Sequence, residues 1–415
     1  MMASDLKKKT GVFLLFVLCF LNCDDKPYSL RSNNDYELYY TINNKQAVAR
    51  LAPIMYNRTD AAIPVERFKL VHISDVHVSD WSADNNYKLP RNLIESVTFA
   101  NQSELRINAM VATGDHISEG TKENALMFLN SFYTHLYTDN RIPTFPCYGN
   151  HDSNMGERLQ SEYLSSAELA NAFNNKGNYS LQRTAGKSYY YADVRNPMGG
   201  FIRFIALDMT DQPAFQYNTM INAVFSQEQI DWFANVALKR DMTDQHSIIV
   251  LTHYPFQPYR EDASTYLIDG HFIHTYKLFP EIIEAFRSRS SIQKTFGNIR
   301  QQSDRGTIDC DFSESKGEFI CYLGGHAHVF AVFDVVGLSN ANEQLLPQRM
   351  ILCTNQAASN AGVVFNNAHR ENASISSNSF SIYSIDTRER KIYITYFGSF
   401  NPSSGRAEFP IIINY

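Results

Sequence analysis

Five short polar motifs contain the side chains best suited to chemistry, and each follows an apolar segment. The segments run into "SDVH", "TGDH", "YGNHD", "LTHYP" and "LGGHAH". The oxygen and nitrogen donors that they supply are Asp75, His77, Asp115, Asn150, His151, Asp152, His253, His326 and His328. Taken singly, each motif could be an ordinary turn or a core histidine with satisfied hydrogen bonds. Their shared position after five separate apolar segments favours one functional site instead.

The donor types in these motifs indicate a particular chemistry. Mixed imidazole, carboxylate and carbonyl-oxygen donors suit manganese, iron or zinc better than calcium or copper. Two such cations, about 3.5–4 Å apart, clamp a phosphoryl group and generate hydroxide near neutral pH. Because adjacent cations repel each other, a carboxylate is useful between them, and Asp115 suits that position. Glycines precede Asp115, Asn150 and His326, where they let the backbone turn sharply and approach closely.

Such a site needs strands whose ends meet, and the first part of the chain has the corresponding pattern. Strand-like "RFKLVHIS", "LRINAMVAT" and "IPTFPCY" alternate with helical "LPRNLIESVTFA" and "KENALMFLNSFYTHLY". This alternation predicts βαβ units and a largely parallel sheet. In open α/β sheets, ligands bind beyond the carboxyl ends of the strands, which is where the motifs fall.

The rest of the chain predicts further helices and many strands. A helix "SEYLSSAELANAFN" and a hairpin of "SYYYADV" and "FIRFIALD" precede a helix that opens with a capping box, Ser226-x-x-Gln229. Strands "SIIVLT", "EFICYL", "FAVFDVV" and "RMILCT" follow, and a half-exposed hairpin of "SFSIYSI" and "KIYITYF" closes the pattern. Early βαβ units followed by many strands predict a four-layer α-β-β-α sandwich, in which two mixed sheets are flanked by helices.

The five motifs, in this order, resemble those of the calcineurin-like metallophosphoesterase family, and the resemblance extends from about Arg67 to Phe397. The implied ligands are Asp75, His77 and His328 for one metal, Asp115 as the bridge, and Asn150, His253 and His326 for the second metal. His151 would stabilise the transition state or protonate the leaving oxygen, and Asp152 would either orient His151 or cap the turn. The implied function is hydrolysis of a phosphomonoester or phosphodiester by a metal-bridging hydroxide.

Two positions assign the resemblance to one branch of that family. The purple acid phosphatase branch has a metal-binding tyrosine three residues after the bridging aspartate, and here that residue is Ser118. A tyrosinate–iron(III) centre is therefore not expected. The Asp-x-His motif at Asp75 and His77 instead resembles the larger divalent-metal branch, which includes cyclic-nucleotide phosphodiesterases and sphingomyelinase-like enzymes.

The first residues have the pattern of an export signal. Three lysines precede an apolar run from Gly11 to Leu21, which is too short to span a bilayer. With Cys23 after it, the segment resembles a bacterial lipoprotein signal, so we expect an exported protein anchored to the cell envelope by a lipid on Cys23. Ordinary secretion and an uncleaved anchor are the alternatives. The predicted segments are a signal peptide (1–22), a tether with short edge strands (23–65), the phosphoesterase domain (66–400) with a substrate-entrance insertion (259–312), and a C-terminal tail (401–415).

Composition and cysteine content say less about function than the motifs do. The chain has 415 residues and is 44% hydrophobic, so it can bury a large core. Its net charge of -6 gives no reason to expect nucleic-acid binding, because phosphates demand a basic face. We expect Cys147 and Cys353 to be small buried residues on strands. Cys310 and Cys321 could form a disulfide in an oxidising compartment or remain free.

Several polar residues besides these nine donors also bear on the function. His72 is expected to pack in the core, and His116 would either touch substrate or face solvent. His271, Tyr276 and Arg287 lie in the predicted insertion, where they could line the substrate entrance or belong to a plain surface excursion. Two rival functions are a metal-binding surface lipoprotein without turnover and a nuclease of the same family, against which the acidic charge argues.

Overall fold

The structure is a computed structural model that describes residues 66–78, 89–154, 160–174, 177, 179–211, 222–223, 225–256, 272–273, 278–296, 306–335, 347–354, 356, 378–398 and 410–415. Its strands are β1 Phe68–Ile73, β2 Ala109–Thr113, β3 Thr144–Cys147, β4 Tyr190–Arg195, β5 Phe201–Ala206, β6 Asn222–Ala223, β7 His246–Leu251, β8 Phe272–Ile273, β9 Ser291–Phe296, β10 Gly306–Asp311, β11 Glu318–Gly324, β12 Ala331–Asp334, β13 Arg349–Leu352, β14 Ser379–Asp386, β15 Lys391–Gly398 and β16 Ile411–Asn414. Its α-helices are α1 Leu89–Ala100, α2 Lys122–Tyr137, α3 Ser166–Asn174, α4 Gln227–Trp232 and α5 Leu278–Ser288. A 3-10 turn, Gln160–Glu162, precedes α3, and a π-helical turn, Phe233–Ala237, continues α4.

The described strands form two large mixed sheets, as predicted. The first has the order β16-β15-β14-β1-β2-β3. In it β1, β2 and β3 are parallel, and β14, β15 and β16 extend the sheet with antiparallel pairing. The second has the order β12-β13-β11-β7-β5-β4, with parallel strands in the middle and antiparallel strands at both edges. Two smaller pairs, β9 with β10 and β6 with β8, lie outside these sheets.

Aromatic side chains show how the sheets pack. The ring of Phe204 on β5 lies 6.1 Å from Phe68 on β1 and 5.0 Å from Phe145 on β3, measured between centroids. The two sheets therefore face each other. On the opposite face of the first sheet, Phe380 of β14 contacts Phe99 of α1 at 5.2 Å. Side chains alternate between the two faces of a strand, so this face is covered by helices.

A second core lies on the far side of the second sheet. It joins sheet residues such as Val250 and Tyr322 to the buried faces of α4 and α5, which include Ile230, Ile282 and Phe286. The first core contains the inner faces of both sheets and the apolar faces of α1, α2 and α3. The layers are consequently helix, sheet, sheet, helix, which confirms the predicted sandwich.

The capping box predicted at α4 is half formed. The Ser226 hydroxyl caps the helix by accepting a hydrogen bond from the backbone N–H of Gln229 at 3.1 Å. The Gln229 amide does not return to Ser226. It bonds the backbone N–H and C=O of Asp208 instead, both at 2.8 Å, and so ties α4 to the end of β5.

The last hairpin is not half-exposed, and that prediction is wrong. Every residue of β14 is buried. β14 lies between β1 and β15, with α1 over the Phe380 face and the second sheet over the other. Serines that suggested a solvent-facing side, such as Ser379 and Ser381, are buried polar residues. Alternation of polar and apolar residues does not distinguish water from a polar interior.

Parts of the predicted insertion and tail belong to the layers. Helix α5 falls within 259–312, and most of its residues are buried in the second core. Strand β16 falls within 401–415, and it pairs with β15 at the edge of the first sheet. The predicted signal peptide and tether lie outside the described residues. Among the described helices, none is both long and apolar enough to cross a membrane.

The four cysteines among the described residues are buried, and none of them forms a disulfide. Cys147 and Cys353 are 2% and 0% exposed, as predicted. Cys310 and Cys321 are also free, so the structure contains no disulfide between them. The Cys310 thiol lies 3.3 Å from the side-chain oxygen of Asn235, on the π-helical turn.

Candidate metal centre

The five motifs meet at one edge of the sandwich. Parallel strands β1, β2 and β3 of the first sheet and β7 and β11 of the second each end immediately before one of them. Strand-like pairing continues past the strand ends, because the N–H groups of Asp75 and His77 donate to the carbonyls of Gly114 and Asp115, both at 3.0 Å. The sheet register therefore aligns the first two motifs.

Hydrogen bonds also join the motifs of one sheet to those of the other. The Nδ1 atom of His253 lies 2.6 Å from the carbonyl oxygen of Thr113, which fixes the ring and directs Nε2 towards the site. The backbone N–H of His326 donates to both carboxylate oxygens of Asp75, at 3.2 and 3.1 Å. The site is thus built across the interface between the sheets.

The backbone at the site adopts a conformation that side chains rarely allow. A positive φ is uncommon for residues other than glycine and costs about 1–3 kcal/mol where the surroundings impose it. Most of the predicted metal ligands have one, namely Asp75, His77, Asp115, His326 and His328, at 54°, 51°, 50°, 66° and 54°. Such strain persists only where surrounding contacts enforce it, and it concentrates at functional sites.

Two of the glycines permit close approach, as the sequence predicted. A Cβ at Gly149 would collide with the carboxylate of Asp115 and lie 2.9 Å from the ring of His253. A Cβ at Gly325 would collide with the Ser74 hydroxyl and lie 2.6 Å from an Asp75 carboxylate oxygen. Only glycine fits at either position without displacing a predicted ligand.

The side chains gather into three donor groups that could each hold a metal ion. In each group the donor atoms lie within 4.8 Å of one another, and the groups are Asp75 with His77 and His328, His77 with Asp115 and His151, and Asp115 with His253 and His326. The first group consists of the residues predicted for the first metal, and the third combines the predicted bridge with two of the three residues predicted for the second metal. Asn150, which is not of a residue type in these groups, is buried at the same edge after β3.

The charges and donor types fit divalent metal ions. Nε2 of His328 lies 3.2 Å from Asp75 Oδ1, and Nε2 of His253 lies 3.2 Å from Asp115 Oδ2. Within the described part of the chain, the ion pairs of both carboxylates are made with histidines only. Nε2 of His77 also points at Nε2 of His328, 3.3 Å away. Converging imidazoles around buried carboxylates are the donor set that manganese, iron and zinc accept.

Comparison with known proteins identifies the family. A model of calcineurin-like phosphoesterases matches residues 68–330, which is more than half of the chain. The chain belongs to the calcineurin-like phosphoesterase family. Among solved structures, one of PhoD is similar at 9% identity and a TM-score of 0.41, over 83% of this chain and 73% of that one. No curated protein sequence matches this chain.

As a calcineurin-like phosphoesterase, the chain is an enzyme for metal-dependent hydrolysis of phosphoesters. Among the described residues of its site, three imidazoles are partly exposed. The side chains of His77, His151 and His328 are 16%, 22% and 25% exposed, whereas Asp75 and His253 are fully buried. The described part of the site is therefore most exposed to solvent at these three imidazoles.

Charge interactions shift the pKa values of the phosphoesterase site. Burial alone would raise the pKa of Asp75, but the charge and hydrogen bond of His328, helped by His253, lower it to about 2. Burial alone would lower the pKa of His253, but the charge and hydrogen bond of Asp115 raise it to about 9. Burial and the charge of His151 lower the pKa of His77 to about 3. Without metal, His253 is thus protonated at neutral pH and His77 is neutral.

The structure also contains a contact that sequence reasoning missed. Nδ1 of His151 lies 3.2 Å from Oε1 of Glu119, and the two side chains are similarly exposed, at 22% and 23%. The available signal was an acidic residue four positions after Asp115, in "GDHISEG". That spacing places Glu119 on the β2–α2 loop, but only the folded loop brings it to a histidine after β3.

The hydrogen bonds of Asp152 favour the turn-capping alternative. Its carboxylate accepts from the N–H of Gly149 at 2.7 Å, which closes the turn that contains His151. It also accepts from the N–H groups of His116 and Ile117, at 2.7 and 3.2 Å. Asp152 therefore joins the loop after β3 to the loop after β2, and the imidazole of His151 is paired with Glu119.

His72 and His116 are both buried in the interior of the protein. His72 is a core residue, as predicted, with its ring nitrogens 2.8 Å from the Tyr383 hydroxyl and 2.7 Å from the Thr113 hydroxyl. His116 neither touches substrate nor faces solvent, because its side chain is fully buried. Its ring stacks on that of Phe132, with the two centroids 4.2 Å apart.

Arg287 does not line the entrance. It forms an ion pair with Glu284 on α5, with an N···O distance of 3.2 Å. Burial lowers its pKa, although the charges of Glu284 and Glu318 act in the opposite direction. Glu318 begins β11, at the end of the strand opposite the metal centre. His271 and Tyr276 lie outside the described residues.

Replacing Asp152 by asparagine should destabilise the metal-free protein. The new amide group would face the N–H of Gly149, and an unsatisfied buried donor costs about 1–3 kcal/mol. Urea unfolding in the presence of a chelator measures the change. Asp244→Asn is the matched control, because that side chain is 79% exposed. A loss no larger than that of the control would show that the two loops do not depend on this carboxylate.

Metal affinity should rise with pH because His253 must lose its proton to become a ligand. Its pKa in the metal-free protein is about 9. We expect Mn²⁺ to bind about tenfold more tightly for each pH unit between about 6 and 8, with proton release. Titration calorimetry in buffers of different ionisation enthalpy measures both quantities. His246→Ala, at the opposite end of β7, should keep the same slope, and a pH-independent affinity would contradict the assignment of His253.

Proposed function

We propose that this chain is a dinuclear metallophosphoesterase, in which two metal ions lie side by side and share Asp115. The observation that carries the proposal is the presence of the buried Asp115 in two donor groups, one with His77 and His151 and the other with His253 and His326. A shared carboxylate offsets the repulsion between two neighbouring cations. Family membership supports metal-dependent phosphoester hydrolysis in general, and the shared donor supports the dinuclear form.

Each metal position in this proposal has its own set of residues. The first cation would be held by Asp75, His77 and His328, the second by Asn150, His253 and His326, and both by Asp115. Manganese, iron and zinc are the candidates, because imidazole and carboxylate donors suit them. When bound, such a pair supplies the Lewis acidity that phosphoester hydrolysis requires.

His151 is the residue that we propose as the proton donor. Its Nε2 atom lies 3.8 Å from Asp115 Oδ2, at the position that both metal sites share. Unlike the carboxylates, its ring is partly exposed, so it can contact a bound phosphoester. From there it would protonate the leaving oxygen and neutralise the charge that develops in the transition state.

The proposal covers phosphomonoesters and phosphodiesters alike. The donor groups would bind the phosphoryl group, which both classes share, and not what is attached to it. The net charge of -6 favours a substrate other than nucleic acid, because a nuclease of this size needs a basic face for the phosphate backbone.

Replacing His151 by alanine should lower turnover at least about 100-fold while metal content stays near normal, because the ring donates a proton and is not a ligand. Purified protein is first screened against phosphomonoesters, cyclic nucleotides and phospholipids, and kcat is then compared on the best substrate. Metal content is measured by elemental analysis.

The control for this experiment is Asp115→Ala, which should lose metal and activity together, because the shared ligand is removed. Unchanged turnover in His151→Ala would refute the role of His151. Stoichiometric metal in the wild type without hydrolysis of any ester would favour a metal-binding protein without turnover.

We also propose that the protein is exported and anchored by a lipid on Cys23. The support is the sequence alone, in which three lysines, an apolar run and Cys23 follow each other. Mass spectrometry of the mature protein from its native envelope should show an N-terminus at Cys23 with acyl chains attached. Cleavage elsewhere without acylation would indicate ordinary secretion, and an intact Met1 would indicate an uncleaved anchor.

A further inference from the structure

We infer that Ser74 is a positioning residue for the metal ligand His253, although the two residues follow strands of different sheets. Ser74 directly precedes Asp75 and is not itself among the predicted ligands. The inference rests on the proposed function, because it concerns a ligand of the second metal ion. It is supported by a shared hydrogen-bond acceptor, by close packing between the sheets and by the burial of Ser74.

The two residues are linked by the backbone carbonyl of Thr113, at the end of β2. The Ser74 hydroxyl donates to this oxygen at 3.0 Å, and Nδ1 of His253 lies 2.6 Å from the same atom. A carbonyl oxygen has two lone pairs, so it can accept both hydrogen bonds at once. Because a carbonyl only accepts, Nδ1 must carry a proton, and Nε2 is the nitrogen that can bind a metal ion.

The carbonyl of Thr113 belongs to a peptide group whose orientation the local backbone alone does not fix. That peptide group joins Thr113 to Gly114, which has a φ of 87°. Glycine adopts positive and negative φ values about equally readily, so Gly114 itself imposes little restriction. The hydroxyl of Ser74 is a donor outside this turn, and we expect it to hold the oxygen in the direction that His253 requires.

The backbone of Ser74 is held by contacts with two other segments. Its carbonyl accepts a hydrogen bond from the N–H of Gln356 at 2.8 Å, and the N–H of the next residue, Asp75, donates to the carbonyl of Gly114 at 3.0 Å. Ser74 is also fully buried, so water does not compete for its hydroxyl. The fold therefore determines where this hydroxyl lies.

The side chain of Ser74 packs against the second sheet at Gly325. A Cβ atom at Gly325 would collide with the Ser74 hydroxyl and lie 2.9 Å from the Ser74 Cβ atom. Ser74 therefore occupies the space that the glycine leaves between the two sheets. The N–H of Gly325 donates to the carbonyl of His253 at 3.0 Å. Ser74 thus contacts both the group that bonds the His253 ring and the residue that bonds its backbone.

The alternative is that Ser74 contributes only to stability, as a buried hydroxyl bonded to a carbonyl does elsewhere in this protein. Ser96 on α1 is such a residue, since it is fully buried and donates to the carbonyl of Leu93 at 2.8 Å. That acceptor lies within the same helix, whereas the acceptor of Ser74 is shared with His253. Replacing either serine by alanine removes one hydroxyl from a buried hydrogen bond, so Ser96→Ala is the matched control.

The first test uses nuclear magnetic resonance and needs neither metal nor substrate. In protein with ¹⁵N-labelled histidine, the proton on Nδ1 of His253 is assigned by its loss in His253→Gln. Ser74→Ala should shift this signal and make the proton exchange faster with water, because its acceptor is no longer held. Ser96→Ala should change neither quantity. An unshifted signal in Ser74→Ala would overturn the inference.

The second test measures metal affinity by titration calorimetry at one fixed pH. Ser74→Ala should bind Mn²⁺ about tenfold more weakly than the wild type, because removing a group that orients a metal ligand typically costs about 10–100-fold in affinity. Ser96→Ala should bind Mn²⁺ as the wild type does. Wild-type affinity in Ser74→Ala, or an equal loss of affinity in Ser96→Ala, would overturn the inference.

Urea unfolding in the presence of a chelator separates positioning from stability. Both alanine variants should be destabilised to a similar extent, because each loses one buried hydrogen bond. A loss of affinity in Ser74→Ala alone is then not a consequence of unfolding. If Ser74→Ala does not fold, Ser74→Cys, which fills the same space with a weaker donor, takes its place in both tests. A wild type that binds Mn²⁺ but hydrolyses no ester would refute the proposed function alone, and the signal of His253 would still decide the role of Ser74.

Discussion

Two carboxylates, Asp75 and Asp115, are buried where the carboxyl ends of both sheets meet, and the rest of the site depends on compensating their charge. Removing an ionised carboxylate from water costs on the order of several kcal/mol unless it is paired and hydrogen-bonded. Here the pairing comes from imidazoles, with His253 and His328 each 3.2 Å from a carboxylate oxygen. Neutral imidazoles compensate the negative charge of the carboxylates poorly, and protonated imidazoles repel each other. Divalent cations would therefore compensate that charge more completely.

The same requirement explains the unusual backbone. Donor atoms on five strand ends can converge only if the chain turns inward immediately after each strand. Asp75, Asp115 and His326 achieve this with positive φ values of 54°, 50° and 66°, which side chains disfavour. Hydrogen bonds between the turns enforce the conformation, as from the N–H of Asp75 to the carbonyl of Gly114 at 3.0 Å. The strain in one turn is thus offset by hydrogen bonds to the next turn. These bonds hold the donor atoms of the site in fixed positions.

Three acidic side chains near His151 have different roles because their surroundings differ. Asp115 is buried and belongs to two donor groups that could hold a metal ion. Asp152 is surrounded by backbone N–H groups and joins two loops. Glu119 is partly exposed and meets an imidazole. Residue type and proximity to the motif do not separate these roles, since Asp152 adjoins His151 in sequence whereas Glu119 lies 32 positions before it.

The amino-acid sequence by itself determined the periodicities of the layers and the identity of the donors. Helices α1 and α2 have the bounds that their apolar spacing predicted. Strand-end aspartates and histidines were recognisable because a parallel sheet places the ends of its strands at one edge. These features are local, so each can be inferred from neighbouring residues and elementary geometry.

Tertiary structure alone decided which faces are covered and which side chains meet. β14 has the alternation of a half-exposed strand, yet the second sheet covers its polar face, so Ser379 and Ser381 are buried. Arg287 falls within the predicted insertion but belongs to α5, where it pairs with Glu284. Glu119 reaches His151 because two loops are cross-linked in space. Contacts between segments distant in the chain depend on packing, which no local pattern of residues encodes.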